Sequence, residues 1–249
     1  MDDVPALVTL HVWRVPRRAL GAALLRMARE PRRLRALPGV RFAKLLGTGT
    51  GTGFGPADAD LTRYAALLTW AEEPSPAELL TVDAGWAGVA AGSARLDLTP
   101  RSSRGLWSRA APFGAPDTTR EYANQAEGNR ENADGIVLAL TRARLRPARA
   151  VTFWRAVPPV AAALHRAPGL LARFGIGEAP IGWQGTVTVW RSRADLAGFA
   201  YRTPEHRAVI ARTPTDRWYA EDLFARFAVR GIDGDRAVLG WREGGRSQR

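Results

Sequence analysis

The chain of 249 residues contains three histidines and no cysteine. Ligation of a metal or haem iron through nitrogen therefore has three side-chain candidates: His11, His165 and His206. His206 has the most favourable setting. Thr203 suits a helix N-cap, and Pro204 suits the first helical position, where a missing N–H costs nothing. That places His206 in the first turn. The positive end of the helix dipole disfavours imidazolium there and favours the neutral, ligating imidazole at pH 7. Val209 and Ile210, one turn on, share its face. A neutral imidazole framed by apolar side chains suits the proximal side of a flat porphyrin. The same residues also describe a partly exposed first-turn histidine. His11 reads as a strand histidine, with Thr9 and Trp13 on its side and Leu10 and Val12 on the other. His165, beside Arg166 late in an Ala/Leu helix, reads as a capping or solvent-facing residue.

Other constellations are sparse. Gly47-Thr-Gly-Thr-Gly-Thr-Gly53-Phe54-Gly55 could bring backbone N–H groups close to a ligand. It lacks both the Gly-Lys-Ser/Thr ending and the G-x-G-x-x-G spacing of phosphate loops, and reads as a hairpin loop between two strands. There is no His-x-x-x-His, no Ser/His/Asp spacing and no nucleophile elbow. The nine tryptophans, notably Trp154, Trp183, Trp190 and Trp218, suit a core or the lining of a large apolar ligand cavity.

Composition sets the outer bounds. Without cysteine, disulfides, thiolate haem ligands and cysteine-based zinc sites are excluded. The net charge is +12, and Lys44 is the one lysine, so the positive charge is nearly all arginine. The arginines are scattered rather than blocked, which reads as compositional bias and not as a nucleic-acid footprint. Hydrophobic residues make up 46% of the chain, ample for a core. No apolar run approaches the roughly 20 residues of a membrane-spanning helix. Peripheral membrane contact stays compatible with the sequence. The acidic start, Met-Asp-Asp-Val-Pro-Ala, lacks a secretory layout, and the expected location is cytoplasmic.

The elements that must position these residues fall into a diverged repeat. Val8–Arg14 reads as a strand followed by Pro16 and a helix to about Arg29. Ala150–Arg155 reads in the same way, with Pro158-Pro159 opening a helix to about Arg166. Phe42–Gly47 and Leu171–Gly177 are second strands. Tyr64–Trp70 and Gly185–Trp190 are third strands ending in tryptophan. Helices begin near Ser75 and Ser192, and last strands lie near Ala94–Thr99 and Glu221–Arg230. The order is βαββαβ, twice. The expected fold class is α+β: two ferredoxin-like repeats whose sheets face each other and close a barrel with helices outside. The expected divisions are a first half over 1–111, a polar linker over 112–135, a second half over 136–232 and a C-terminal tail over 233–249.

The chain resembles the spheroidene monooxygenase family of carotenoid ketolases over most of its length. The resemblance rests on Arg41-Phe-Ala-Lys-Leu-Leu-Gly-Thr-Gly-Thr-Gly-Thr-Gly-Phe54, Ala139-Leu-Thr-Arg-Ala143, Val151-Thr-Phe-Trp154, Phe174-Gly-Ile-Gly-Glu-Ala-Pro180, Thr186-Val-Thr-Val-Trp190 and Trp218-Tyr-Ala-Glu-Asp-Leu-Phe-Ala-Arg-Phe227. His206 stands at the family's spacing before the last of these. The resemblance implies a dimeric α+β barrel fold and a haem-dependent oxygenase that uses dioxygen and an electron donor. Its substrate would be apolar, carotenoid-like or a secondary metabolite. His206 would be the iron ligand, and Arg41 and Lys44 lie in a matching motif as candidate partners of haem b. The first half has no histidine at the place of His206: Thr81–Ala91 offers Asp83 and Trp86. One haem per chain, held by the second half, is the consequence. The polar run Thr118–Asp134 and the arginine excess depart from the pattern. Haem-dependent dehydration or nitrogen transfer, and non-enzymatic binding of haem or an apolar ligand, are the alternatives. Self-association into a homo-oligomer is compatible with either.

Overall fold

A computed structural model describes residues 4–51, 58–114, 135–178, 183–203 and 217–242. Eight strands run in chain order as β1 (Leu7–Arg14), β2 (Val40–Gly49), β3 (Ala59–Trp70), β4 (Gly92–Gly105), β5 (Val137–Leu145), β6 (Leu170–Gly177), β7 (Trp183–Trp190) and β8 (Tyr219–Gly234). Among the described residues four α-helices accompany them: α1 (Leu20–Arg35), α2 (Pro76–Ala84), α3 (Ala150–Arg166) and α4 (Arg193–Arg202). The strands close into one barrel in the order β1-β3-β2-β6-β7-β5-β8-β4. Every pairing is antiparallel. Within β1–β4 the spatial order is β4-β1-β3-β2, and within β5–β8 it is β8-β5-β7-β6. The expected α+β barrel with external helices is therefore present.

Both faces of the sheet are covered, and the strand sequences show it. In β1, Val8, Leu10 and Val12 point into the barrel, while Leu7 and Trp13 pack toward the helices. In β3, every residue from Arg63 to Trp70 is buried. The barrel interior is a single packed core that also takes Leu46, Leu96, Leu140, Phe174, Val187 and Phe227. Residues outside the strands help to fill it: Trp107 and Phe113 after β4, and Val238 and Leu239 from a 3-10 turn after β8.

Local chemistry explains the helix starts. Ser75 and Glu78 form a reciprocal capping box at α2. The Ser192 side chain accepts from the Asp195 N–H at α4. Pro16 precedes a 3-10 turn that leads into α1. One sequence expectation is overturned. Ala150–Arg155 is not a strand but the first turns of α3, and Pro158 and Pro159 lie inside that helix. The helix buries Phe153, Val157, Ala161 and Leu164, spaced four, four and three apart, a helical stripe that outweighs the β propensity of Val-Thr-Phe-Trp. The true first strand of the second half is β5, and Pro147 opens the following 3-10 turn.

Candidate functional site

The two helix–sheet layers outside the barrel are built unequally. Their central strand pairs can be superposed in register on Leu7–Trp70 and Val137–Trp190. The helix-facing row of β1 then reads Leu7, Thr9, His11, Trp13 against Val137, Ala139, Thr141, Ala143 of β5. The row of β3 reads Trp70, Leu68, Ala66, Tyr64 against Trp190, Thr188, Thr186, Gln184 of β7. Where the first half places His11, Trp13 and Tyr64, the second half places Thr141, Ala143 and Gln184. These three strand positions carry less volume in the second half, whose aromatic side chains (Phe153, Trp154, Trp218 and Tyr219) gather at one end of the layer instead.

In the first half that volume is closed. Trp86, after α2, stacks on Trp13 at 4.9 Å with planes 7° apart and packs on Tyr64 at 5.1 Å. His11 is fully buried; its Nδ1 lies 3.0 Å from Asp83 Oδ1, which also accepts from Trp13 Nε1 at 2.9 Å. Burial pushes the Asp83 carboxyl up, but the His11 and Trp13 contacts and the Arg95 charge outweigh it and hold it below the usual range. Asp83 and Trp86 are thus both used to fill and bond this layer.

In the second half the layer is looser. Ala139, Thr141 and Thr186 are partly exposed, whereas all eight residues of the corresponding first-half rows are buried. Its buried apolar residues divide into two groups: Leu145, Phe153, Val157, Ala161 and Trp218 at one end, and Leu164, Leu170, Trp190 and Leu196 at the other. A cleft of about 490 Å³ separates α3 from α4, lined by Ala163, Arg166, Phe199, Arg202 and Thr203 among others. Buried polar atoms without a hydrogen-bond partner occur in both layers: His11 Nε2, Tyr64 Oη and Trp86 Nε1 in the first, and both Gln184 amide atoms and Trp154 Nε1 in the second. His206 lies outside the described residues, three positions after Thr203 in sequence. The Trp183 side chain and the end of the glycine loop beyond Gly51 also lie outside them.

The remaining sequence candidates stand elsewhere. Arg41 and Lys44 are on β2 of the first half; Arg41 is exposed. Lys44 Nζ lies 2.6 Å from both Glu178 and Ser108 Oγ. It belongs to a buried ion network at one end of the barrel that sequence reasoning missed. Glu178 accepts from Lys44, from Arg142 Nη2 at 2.9 Å and from Trp107 Nε1 at 2.7 Å. Glu221 pairs with Arg142 Nη1 and accepts the backbone N–H groups of Ser108 and Arg109, each at 3.0 Å. Ser108 and Arg109 both have positive φ, in a two-residue hairpin closed between Trp107 and Ala110. Burial would raise the Glu221 carboxyl, but these N–H groups and Arg142 outweigh it and hold it below the usual carboxylate range. A signal for the network existed. Lys44, Arg142, Glu178 and Glu221 each fall inside a different one of the quoted motifs, and Arg142 takes a barrel-facing place beside Leu138 and Leu140. His165 sits at the surface, with Nδ1 2.8 Å from Arg242 and 3.4 Å from Arg173. Those charges, Arg242 foremost, lower its pKa. Among the described residues no cluster of three or more His, Asp or Glu could hold a metal ion. No described helix is long and apolar enough to cross a membrane.

The described residues form a single-chain antiparallel α+β barrel with its helices outside. The solved structure of an aldoxime dehydratase in complex with butyraldoxime shares this fold. Its TM-score is 0.56 at 11% identity, covering 90% of this chain and 79% of that one. Sequence comparison is more specific. The spheroidene monooxygenase of Rhodobacter capsulatus is 32% identical over 201 residues, 79% of this chain and 78% of the relative. That of Rubrivivax gelatinosus is 32% identical over 199 residues, 79% of this chain and 72% of the relative. No protein-family model matches the chain. The chain belongs to the spheroidene monooxygenase family, and it is an enzyme of the oxidoreductase class.

Proposed function

We propose that the chain is a haem-dependent monooxygenase that acts on an apolar substrate and holds its haem in the helix–sheet layer of the second half. The observation that carries this reading is the replacement of His11, Trp13 and Tyr64 by Thr141, Ala143 and Gln184 at the same places in the register. A flat group needs such a face of small side chains. The two helices that cover this layer, α3 and α4, are themselves parted by a cleft lined by residues from the end of α3 and from α4. The small strand side chains and the arginines of the cleft support a fit to such a group. The strand orders in the two halves support the reading of two βαββαβ units, of which the first is plugged by Trp86. One site per chain follows.

His206 is the proposed iron ligand; it stands three positions in sequence after Thr203, which lines the cleft. When bound, haem supplies the activation of dioxygen, with electrons from a donor. The chain's own contributions are simpler. The row Ala139, Thr141, Ala143 forms a flat floor. Arg166 and Arg202, which line the cleft, are placed to pair with acidic substituents, the part for which Arg41 and Lys44 were candidates from sequence. The names of the relatives point to a carotenoid as the apolar substrate.

The absorption spectrum of the purified protein, with and without added hemin, tests the proposal. The expected result is a Soret band that His206→Ala abolishes. A colourless wild-type protein that takes up no hemin overturns the haem assignment. A band unchanged by His206→Ala overturns the ligand. Turnover without reductant and dioxygen overturns oxygen insertion in favour of dehydration.

A further inference from the structure

We propose that the outer face of α1 is a docking surface for an anionic lipid bilayer. The proposal is independent of the haem reading and concerns the other half of the barrel.

The sequence of α1 sets its two faces apart. Ala23 and Leu34 are buried in the first helix–sheet layer, and Met27 packs on the same core. Arg26 and Arg33 turn toward α2: Arg26 Nε donates to the Gly85 carbonyl, and Arg33 donates to those of Thr81 and Val82. Arg33 also pairs with Glu30, the one carboxylate between Arg14 and Arg35. Leu24, Leu25, Ala28, Arg29 and Arg32 remain on the outside, three and four positions apart, and all are exposed. Leu24 is 58% exposed and Leu25 46%. Arg17 and Arg18, exposed in the 3-10 turn before the helix, close the other end of this face. Two leucines thus stand in water between two pairs of guanidinium groups.

Arg17 and Arg18 do not serve the helix itself. They lie at its positive end, where the dipole favours carboxylates. The starts of α2 and α4 follow that rule, with Glu78 and Asp195 in their first turns. The first turn of α1 has neither an acidic residue nor a capping side chain. Among the described residues no ion pair holds Arg17, Arg18, Arg29 or Arg32. Helix α3 also opens without an acidic residue, but Val151 is its one large apolar side chain at the surface.

Charge and apolar character together select the occupant. A second copy on the same face would set these arginines against one another. A nucleic acid would neutralise the arginines but leave the leucines between them in water. An anionic bilayer meets both: headgroup phosphates face the guanidinium groups, and the leucines reach the acyl boundary.

Co-sedimentation of the full chain with vesicles tests the proposal. At low salt the protein sediments with vesicles that contain phosphatidylglycerol and stays in solution with phosphatidylcholine alone. Arg17→Gln with Arg18→Gln weakens binding about twentyfold, at roughly fivefold per arginine. Leu24→Glu with Leu25→Glu weakens it about a hundredfold. Val151→Glu, on the other layer, leaves it unchanged. Every variant keeps the wild-type circular dichroism, because the altered side chains are exposed. Absence of sedimentation with the anionic vesicles, or an equal loss in Val151→Glu, overturns the proposal. Vesicle binding that the arginine variant loses and the leucine variant keeps shows a bare cation patch and overturns the bilayer as partner. A wild-type oligomer that Leu24→Glu with Leu25→Glu splits assigns the face to a second copy, and overturns it too.

Discussion

Replacing Glu221 by Gln probes the network that ties the barrel end together. The change keeps shape and removes one charge. Arg142 is only 2% exposed at its side chain and Glu221 12%, so the pair is shielded from water. Removing one partner of a buried ion pair costs about 3–5 kcal/mol, chiefly because the other charge is left uncompensated. Arg142 retains Glu178, and the new amide oxygen still accepts from the hairpin, so the lower end applies: about 3 kcal/mol. For a chain of this size each kcal/mol moves the melting point by roughly 2–4 °C, giving a fall of about 6–12 °C in calorimetry at neutral pH. The pH dependence has a definite sign. The folded Glu221 carboxyl titrates below its unfolded value, so its contribution is complete above the unfolded pKa and is lost as pH falls through the folded one. The melting points of wild type and Glu221→Gln therefore converge in acid. Adding Arg142→Met to the variant recovers part of the loss. A deficit under about 1 kcal/mol, or one that does not shrink in acid, refutes the account of a desolvated network.

Ala143→Trp restores to the second half the residue type that closes the first. The variant keeps its circular dichroism, loses about 1–3 kcal/mol from overpacking and takes up no hemin in a Soret titration. The double change Ser108→Asn with Arg109→Gly suits the positive φ at both positions of the Trp107–Ala110 hairpin. It raises the urea midpoint by the equivalent of about 1 kcal/mol, since non-glycine residues are strained there.

Much of the fold was legible because its signals are local. Strands that end in Trp70 and Trp190, and helices capped by Ser75 and Ser192, announce themselves within a few residues. The failure at Ala150–Arg155 has the same origin. Val-Thr-Phe-Trp has β propensity, and Pro158-Pro159 imitates a helix start, so the local signals agreed on the wrong answer. The apolar stripe from Phe153 to Leu164, which decides the matter, spans three turns. Strand β5 was hidden because Arg142 occupies a barrel-facing position, and a buried arginine reads as solvent-facing until Glu178 and Glu221 are seen beside it. Those partners lie 36 and 79 residues away. The site was legible only in outline. The sequence offered Asp83 and Trp86 within Thr81–Ala91, and no histidine there. The role of Trp86 as the stopper of the first layer could not be read, because stacking on Trp13 is a contact across 73 positions of chain.

Closure of the barrel has a consequence for assembly. Each of the eight strands has a neighbour on both sides, although β2 and β6 are laddered only from Gly47 to Gly49 and from Gly175 to Gly177, which leaves the rest of that seam as the one stretch another strand could extend among the described residues. Both sheets belong to one polypeptide, so the barrel forms by a unimolecular reaction, and dilution cannot take it apart. Outside that seam, contact between copies falls to helices and loops. Joining the halves in one chain also releases them from symmetry. One layer can spend its volume on a permanent aromatic stopper while the other stays open.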